Sequence, residues 1–185
     1  SNYTGSATGT LNISSTGQSE LQITGLPATD IKYGDAFALA ANGGSGDGLA
    51  SWEVTAGSDF ATVDPTSGAV LITGVGSVTI TATKAADGSY DSQTASVTFI
   101  ATPKIITVTA TAVDRDYVVG SKLVVVSLAT GIDGVTASAN SAFVATANAG
   151  ADQIVTIEGV SINSVNYKAE STTIYTTVTI RSIDD

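Results

Sequence analysis

The chain has 185 residues and a mass of 18.4 kDa, room for one large domain or two small ones, and 43% of it is apolar. Histidine and cysteine are absent, which excludes His-assisted and Cys nucleophiles, His or Cys zinc sites, disulfides and haem ligation. Seventeen acids against seven bases give a net charge of −10 with no basic stripe, which speaks against nucleic acid and anionic membranes as partners. No apolar run reaches the roughly 18 residues of a membrane-spanning helix.

Thr (28), Ser (21) and Gly (19) replace the missing charge, and Val (19) and Ile (15) outnumber Leu (8). β-branched side chains suit a pleated surface, so the composition predicts an all-β protein. In chain order, strands are predicted at 8–13, 21–26, 36–40, 51–55, 69–73, 77–83, 94–99, 107–112, 122–128, 135–139, 143–147, 153–158 and 172–180. Strict alternation is clearest where Val78, Ile80 and Ala82 interleave with Ser77, Thr79, Thr81 and Thr83. Period two with Thr outward is a half-buried strand of an antiparallel sheet. Between the strands lie turn signals: the Gly-rich run 42–48, Asp64-Pro65-Thr66-Ser67-Gly68, Asp87-Gly88 and Asp133-Gly134. Short strands at this spacing read as β-sandwich, and no helical stripe is present.

A repeat sets the domain organisation. Tyr3, Tyr90 and Tyr167 each precede a polar stretch and then a Thr/Val strand, at intervals of 87 and 77 residues. Each interval is the length of one small sandwich. The expected order is a leading strand over 1–17 that closes a preceding module, one domain over 18–102 and a second over 103–185. Pro103, with no glycine beside it, marks a short junction.

Residues 20–101 resemble a bacterial Ig-like domain. The likeness runs through Lys32-Tyr33-Gly34-Asp35, the Gly43-Gly44-Ser45-Gly46 turn, Trp52-Glu53-Val54, Asp64 to Val70, Gly74-Val75-Gly76, Ile80 to Lys84 and Tyr90 to Phe99. Residues 104–180 resemble the MBG/YDG type of repeat through Ile106-Thr107-Val108, Asp116-Tyr117, Asn166-Tyr167 and Val178-Thr179-Ile180, although Val118-Val119-Gly120 replaces the Asp-Gly usual after that tyrosine. The resemblance implies two tandem Ig-like β-sandwiches behind one leading strand, on a bacterial cell surface or secreted, in a stalk or adhesion segment without catalysis. It also implies neighbouring Ig-like modules of the same chain as partners, a monomer, and a host glycan or protein as a further partner.

The chemical constellations are few. Trp52 is the only tryptophan, and its alternation with Val54 makes it a core anchor in preference to a sugar-stacking platform. Seven aromatics are expected in cores: Tyr33, Phe37, Trp52, Phe60, Phe99, Phe143 and Tyr167. A cluster of the other four, Tyr3, Tyr90, Tyr117 and Tyr175, on one face would mark a recognition surface. The Gly43–Asp47 run is one imperfect copy of a calcium β-roll turn, and Gly74-Val75-Gly76 leads into a strand where a phosphate cradle needs a helix. Asp87 with Asp91, Asp114 with Asp116, and Asp30 or Asp35 across modules are acid pairs too small to cage calcium alone. They read as solvated turn acids, and no cofactor or metal is expected. Lys104, Asn166 and Glu158 supply the residue types of a Lys–Asn isopeptide crosslink, which requires an apolar site to make the amine neutral and nucleophilic. The leading expectation is a non-catalytic stalk or spacer; the alternatives are a module that binds a host glycan or protein and, more remotely, a carboxylate glycosidase.

Overall fold

The structure is a computed structural model that describes residues 14–183, so the leading strand expected at 8–13 and Tyr3 lie outside the described residues. Among the described residues there are strands, turns and bends but no helix, and every buried side chain is apolar. The all-β sandwich class expected from the sequence is the class the structure has. The described residues form two compact units: one holds residues 14–29, Ala36–Leu71 and Ser77–Phe99, the other holds Asp30–Asp35, Ile72–Gly76 and residues 100–183.

The strands run β1 (Leu21–Thr24), β2 (Ile31–Lys32), β3 (Ala36–Ala38), β4 (Ala40–Gly43), β5 (Ala50–Ala56), β6 (Ala61–Val63), β7 (Ala69–Ile72), β8 (Gly76–Lys84) and β9 (Gln93–Thr102). In the first unit β5, β8 and β9 are neighbours in one sheet, β3, β7 and β6 form a second, and β1 pairs antiparallel with β4. Alternation decides which face is which. Val78, Ile80 and Ala82 on β8 are fully buried, and Ser77, Thr79, Thr81 and Thr83 between them face outward. Phe37 on β3 meets Phe99 on β9 edge to face, with centroids 5.8 Å apart, so the inner faces of the two sheets touch. β9 runs on past Phe99 to Ala101 and Thr102, which pair in parallel with Ile31 and Lys32.

Trp52 is buried in the first core, 6% exposed and directly opposite Ala82. The turn at 64–68 closes over it. Trp52 donates its backbone N–H to Pro65 O at 3.0 Å, and Gly68 lies against the indole. Gly68 has φ +71°, and a Cβ there would stand 3.0 Å from indole Cε2, so glycine is required twice over. Asp64 ties the turn: its Oδ1 accepts the Thr66 and Ser67 amides at 3.0 and 2.7 Å and the Ser67 hydroxyl at 2.8 Å. These bonds, the Ser67 amide first, hold the Asp64 carboxyl below the usual carboxylate range.

The second unit adds β10 (Lys104–Ile106), β11 (Thr109–Ala112), β12 (Arg115–Asp116), β13 (Val126–Ala129), β14 (Ala137–Ser138), β15 (Ser141–Val144), β16 (Gly150–Glu158), β17 (Ser161–Ile162), β18 (Tyr167–Ala169) and β19 (Thr173–Arg181). One sheet has the order β12-β19-β16-β15; the pairs β11-β13, β14-β17 and β10-β18 supply the other layer. Val144, Val155, Ile157, Val178 and Ile180 from the first sheet, Val124 on the edge of β15, and Val108 between β10 and β11 form one cluster, with Ala112, Leu128 and Ile162 packed on it. Both units therefore bury their period-two apolar rows between two layers.

Four expectations change. The strand expected over 36–40 is two, β3 paired with β7 and β4 paired with β1, because the chain leaves one sheet for the other at Leu39. The strand expected over 122–128 is two pieces: Leu123 bridges to Phe143 and Val124 donates to Ala142 O at 3.0 Å, on the edge of β15, while Val126 onward pairs with β11. The chain changes sheets there, a corner that its unbroken run of apolar residues does not announce. In β16 the strand starts earlier than expected, with a bulge between Gly150 and Gln153 that puts Asp152 at φ 51°. Of the seven aromatics expected in cores only Trp52 and Phe99 are buried; Tyr33, Phe37, Phe60, Phe143 and Tyr167 are half-buried. The cores are thin enough for Ile and Val to fill them, which leaves large rings at the margins.

Trp52 emission is therefore expected to be blue-shifted and poorly quenched by iodide, and Trp52→Ala to cost about 3–5 kcal/mol in a denaturant titration. Stability lent by the Asp64 turn is present above the ordinary carboxylate range and is lost as pH falls through the lowered pKa of the folded state. Asp64→Ala is expected to lower the denaturation midpoint at neutral pH, with the difference from the parent shrinking as pH falls through the lowered pKa of the folded state.

Candidate functional site

Asp35, Asp87, Asp91 and Asp114 are occupied in holding turns and strand ends. Asp87 Oδ1 accepts the amides of Ser89 and Tyr90 at 3.0 Å each, and its Oδ2 accepts the Asp47 amide at 2.8 Å. These contacts, the Ser89 amide first and the Asp47 amide next, hold the Asp87 carboxyl below the usual range. The Gly43–Asp47 run is thus fastened to the 87–90 turn through Asp87. Gly46, at φ +72°, lies so close to Asp87 Oδ2 that no Cβ fits. Asp91 accepts the Ser15 hydroxyl, and Asp35 Oδ2 accepts the Lys32 amide at 2.8 Å within its own turn. Asp114 accepts the Thr179 amide at 2.8 Å, and Asp116 pairs with Arg181 at 3.0 Å in an exposed ion pair. Among the described residues no three acids converge as a metal site.

Lys104, Asn166 and Glu158 are only partly assembled. The Lys104 amide donates to Asn166 O at 2.9 Å in the β10–β18 ladder, so these two residues are neighbours. The Lys104 side chain is exposed, whereas Asn166 Oδ1 is buried and accepts no hydrogen bond. Glu158 lies in a different sheet, on the outer face of β16, opposite Ser141 and Thr173 and exposed. An exposed side chain lies outside the apolar surroundings that the crosslink requires.

A shallow cleft of about 630 Å³ opens at one end of the second unit, lined by Asp116, Gly150, Thr179, Arg181, Ser182 and Ile183. It holds a single carboxylate, already paired with Arg181, where glycoside hydrolysis asks for two. The described tyrosines outside the expected core set do not gather. Tyr90 is half-buried in the first unit, Tyr117 packs on the core of the second, and Tyr175 stands 66% exposed on the outer face of β19. Residue type and turn context pointed to the acids, but nothing in the sequence singled out the outer face of β15, β16 and β19, because its members are scattered over more than thirty positions.

No protein-family model matches the sequence, and no curated protein matches it. Among solved structures, the EHEC O157:H7 intimin mutant is 34% identical, with 52% of this chain and 52% of that chain covered and a TM-score of 0.36. Human Protocadherin-24 EC1-2 is 12% identical over 83% of this chain and 91% of that one, with a TM-score of 0.30. Drosophila N-cadherin EC1-4 is 10% identical over 88% and 51%, with a TM-score of 0.31. The chain spans about half the length of the intimin structure.

An intact mass equal to the summed residues, with no ammonia lost, is expected for the purified chain; a deficit of one ammonia, mapped by peptide digestion to Lys104 joined to Asn166, would show the crosslink. Because loop acids are satisfied by amides and hydroxyls, excess chelator is expected to leave the melting temperature unchanged in a thermal scan.

Proposed function

We propose that this chain is a non-catalytic spacer segment of a bacterial cell-surface or secreted adhesin-like protein. The observation that carries the reading is the use of its acids: Asp35, Asp64, Asp87, Asp91 and Asp114 all accept hydrogen bonds that hold turns and strand ends. A catalytic carboxylate needs a partner acid or base and a place for substrate, and these side chains are spent on rigidity instead. The outer face of the first unit's β5-β8-β9 sheet supports the same reading. Its hydroxyls bond to one another, Thr55 to Thr81, Thr81 to Ser96 and Thr79 to Thr98, each at 2.9 Å. Such a face is hydrated and resists edge or face sticking without inviting a ligand.

In this reading residues 18–102 and 103–185 are the two modules, joined at Pro103, and residues 1–17 belong to a preceding one. Its partners are neighbouring modules of the same chain, and its place is outside the cell. The acidic surface keeps such a segment soluble.

Pulling the full chain from its two ends tests the proposal. Two discrete unfolding peaks are expected, each releasing the length of one module at about 3.3–3.6 Å per residue. Extension without resolved peaks would mean that the segment cannot carry tension and would sink the spacer reading.

A further inference from the structure

The outer faces of the two larger sheets differ most in the row centred on Thr81 in one and Thr156 in the other. In the first unit Glu53 is opposite Thr81, whose hydroxyl bonds across to Ser96. The corresponding row of the second unit, three strands wide in the same way, reads Phe143, Thr156 and Tyr175. Two aromatic rings thus stand where the first unit has a carboxylate and a hydroxyl. Around them on the same face are Ile154, 65% exposed, and Leu123, bridged to Phe143 and 71% exposed. Single exposed apolar side chains are ordinary, but three of them gathered around the half-buried Phe143 on one face are the mark of an interaction surface.

The row makes a slot. Phe143 and Tyr175 sit two strands apart, about 10 Å between backbones, with the short Thr156 as a floor. That width admits one linear or planar group between the rings. Glu158 lies two residues along β16 on the same face, and among the described residues its carboxylate has neither a hydrogen-bond nor an ion-pair partner. A ring face attracts a cation through its quadrupole, and an unpaired carboxylate one row away adds to that attraction. The net charge of −10 raises the local concentration of basic partners and repels a second copy of the chain.

We propose that this face of the second unit binds an extended basic segment of another protein, with an arginine or lysine lying across Tyr175 toward Glu158 and apolar neighbours resting on Ile154 and Leu123. The proposal goes beyond the spacer reading and does not depend on it, since a segment that only spaces leaves this face unused.

The test is a titration of the isotope-labelled full chain with a synthetic peptide of alternating Arg and Val, followed by amide shifts. Saturable shifts are expected at Ile154, Thr156, Glu158 and Tyr175. Tyr175→Ala is expected to weaken binding roughly tenfold, the size of a desolvated cation–π contact, and Tyr175→Phe to retain it. Glu158→Gln is expected to weaken binding severalfold, while Asp133→Asn, which removes the same charge from the turn before β14, changes little. Tyr175 is exposed, so its removal leaves the fold intact, and the dispersion of the same spectra checks this. Equal affinity of the parent and Tyr175→Ala would overturn the proposal, as would equal losses in Glu158→Gln and Asp133→Asn. Shifts at these amides with a neutral xylo-oligosaccharide but not the peptide, or concentration-dependent dimerisation through them, would overturn it as well.

Discussion

Among the described residues no polar or charged residue is buried whole, and the rest of the structure follows from that constraint. Among the described residues the buried set is apolar without exception, and its largest fully buried members are Ile and Val. Each core is held by area alone, with no buried ion pair whose desolvation must be offset. Period-two alternation enforces this separation, because a strand can turn only every second side chain inward. Val78, Ile80 and Ala82 go in; the threonines between them go out.

Polar groups excluded from the cores are then free to organise the loops, and they do so through carboxylates. Asp64 and Asp87 each accept several turn amides, and the ionised form is favoured in both. The two turns differ in what they fasten. Asp64 shapes a turn that closes over Trp52, linking a surface carboxylate to the largest ring of the core. Asp87 joins two turns to each other and brings Gly46 against its own carboxylate. Acidity in this chain is a structural resource as much as a solubility device.

Outer faces carry the individuality. The same arrangement of three adjacent strands presents a self-bonded hydroxyl ladder in one unit and an aromatic slot beside a free carboxylate in the other. Inner rows differ little between the units, since Val, Ile and Ala serve both cores. A sandwich tolerates such variation because an outward side chain on a central strand contributes little to packing, so its chemistry is open to function.

Class, strand spacing and burial of Trp52 were legible in the sequence, since alternation, β-branched content and turn residues are local properties that local physics reads directly. The acid turns at Asp64 and Asp87 were legible as turns for the same reason. Tertiary structure decided what depends on residues far apart in the chain. It alone shows that the run from Lys122 to Leu128 changes sheets, that short parallel pairs such as Ile31 with Ala101 exist, and that Phe143 lies on an outer face. Phe143, Thr156 and Tyr175 form a row only through register, and register is set by how whole strands pair across the sheet, which no window of sequence contains.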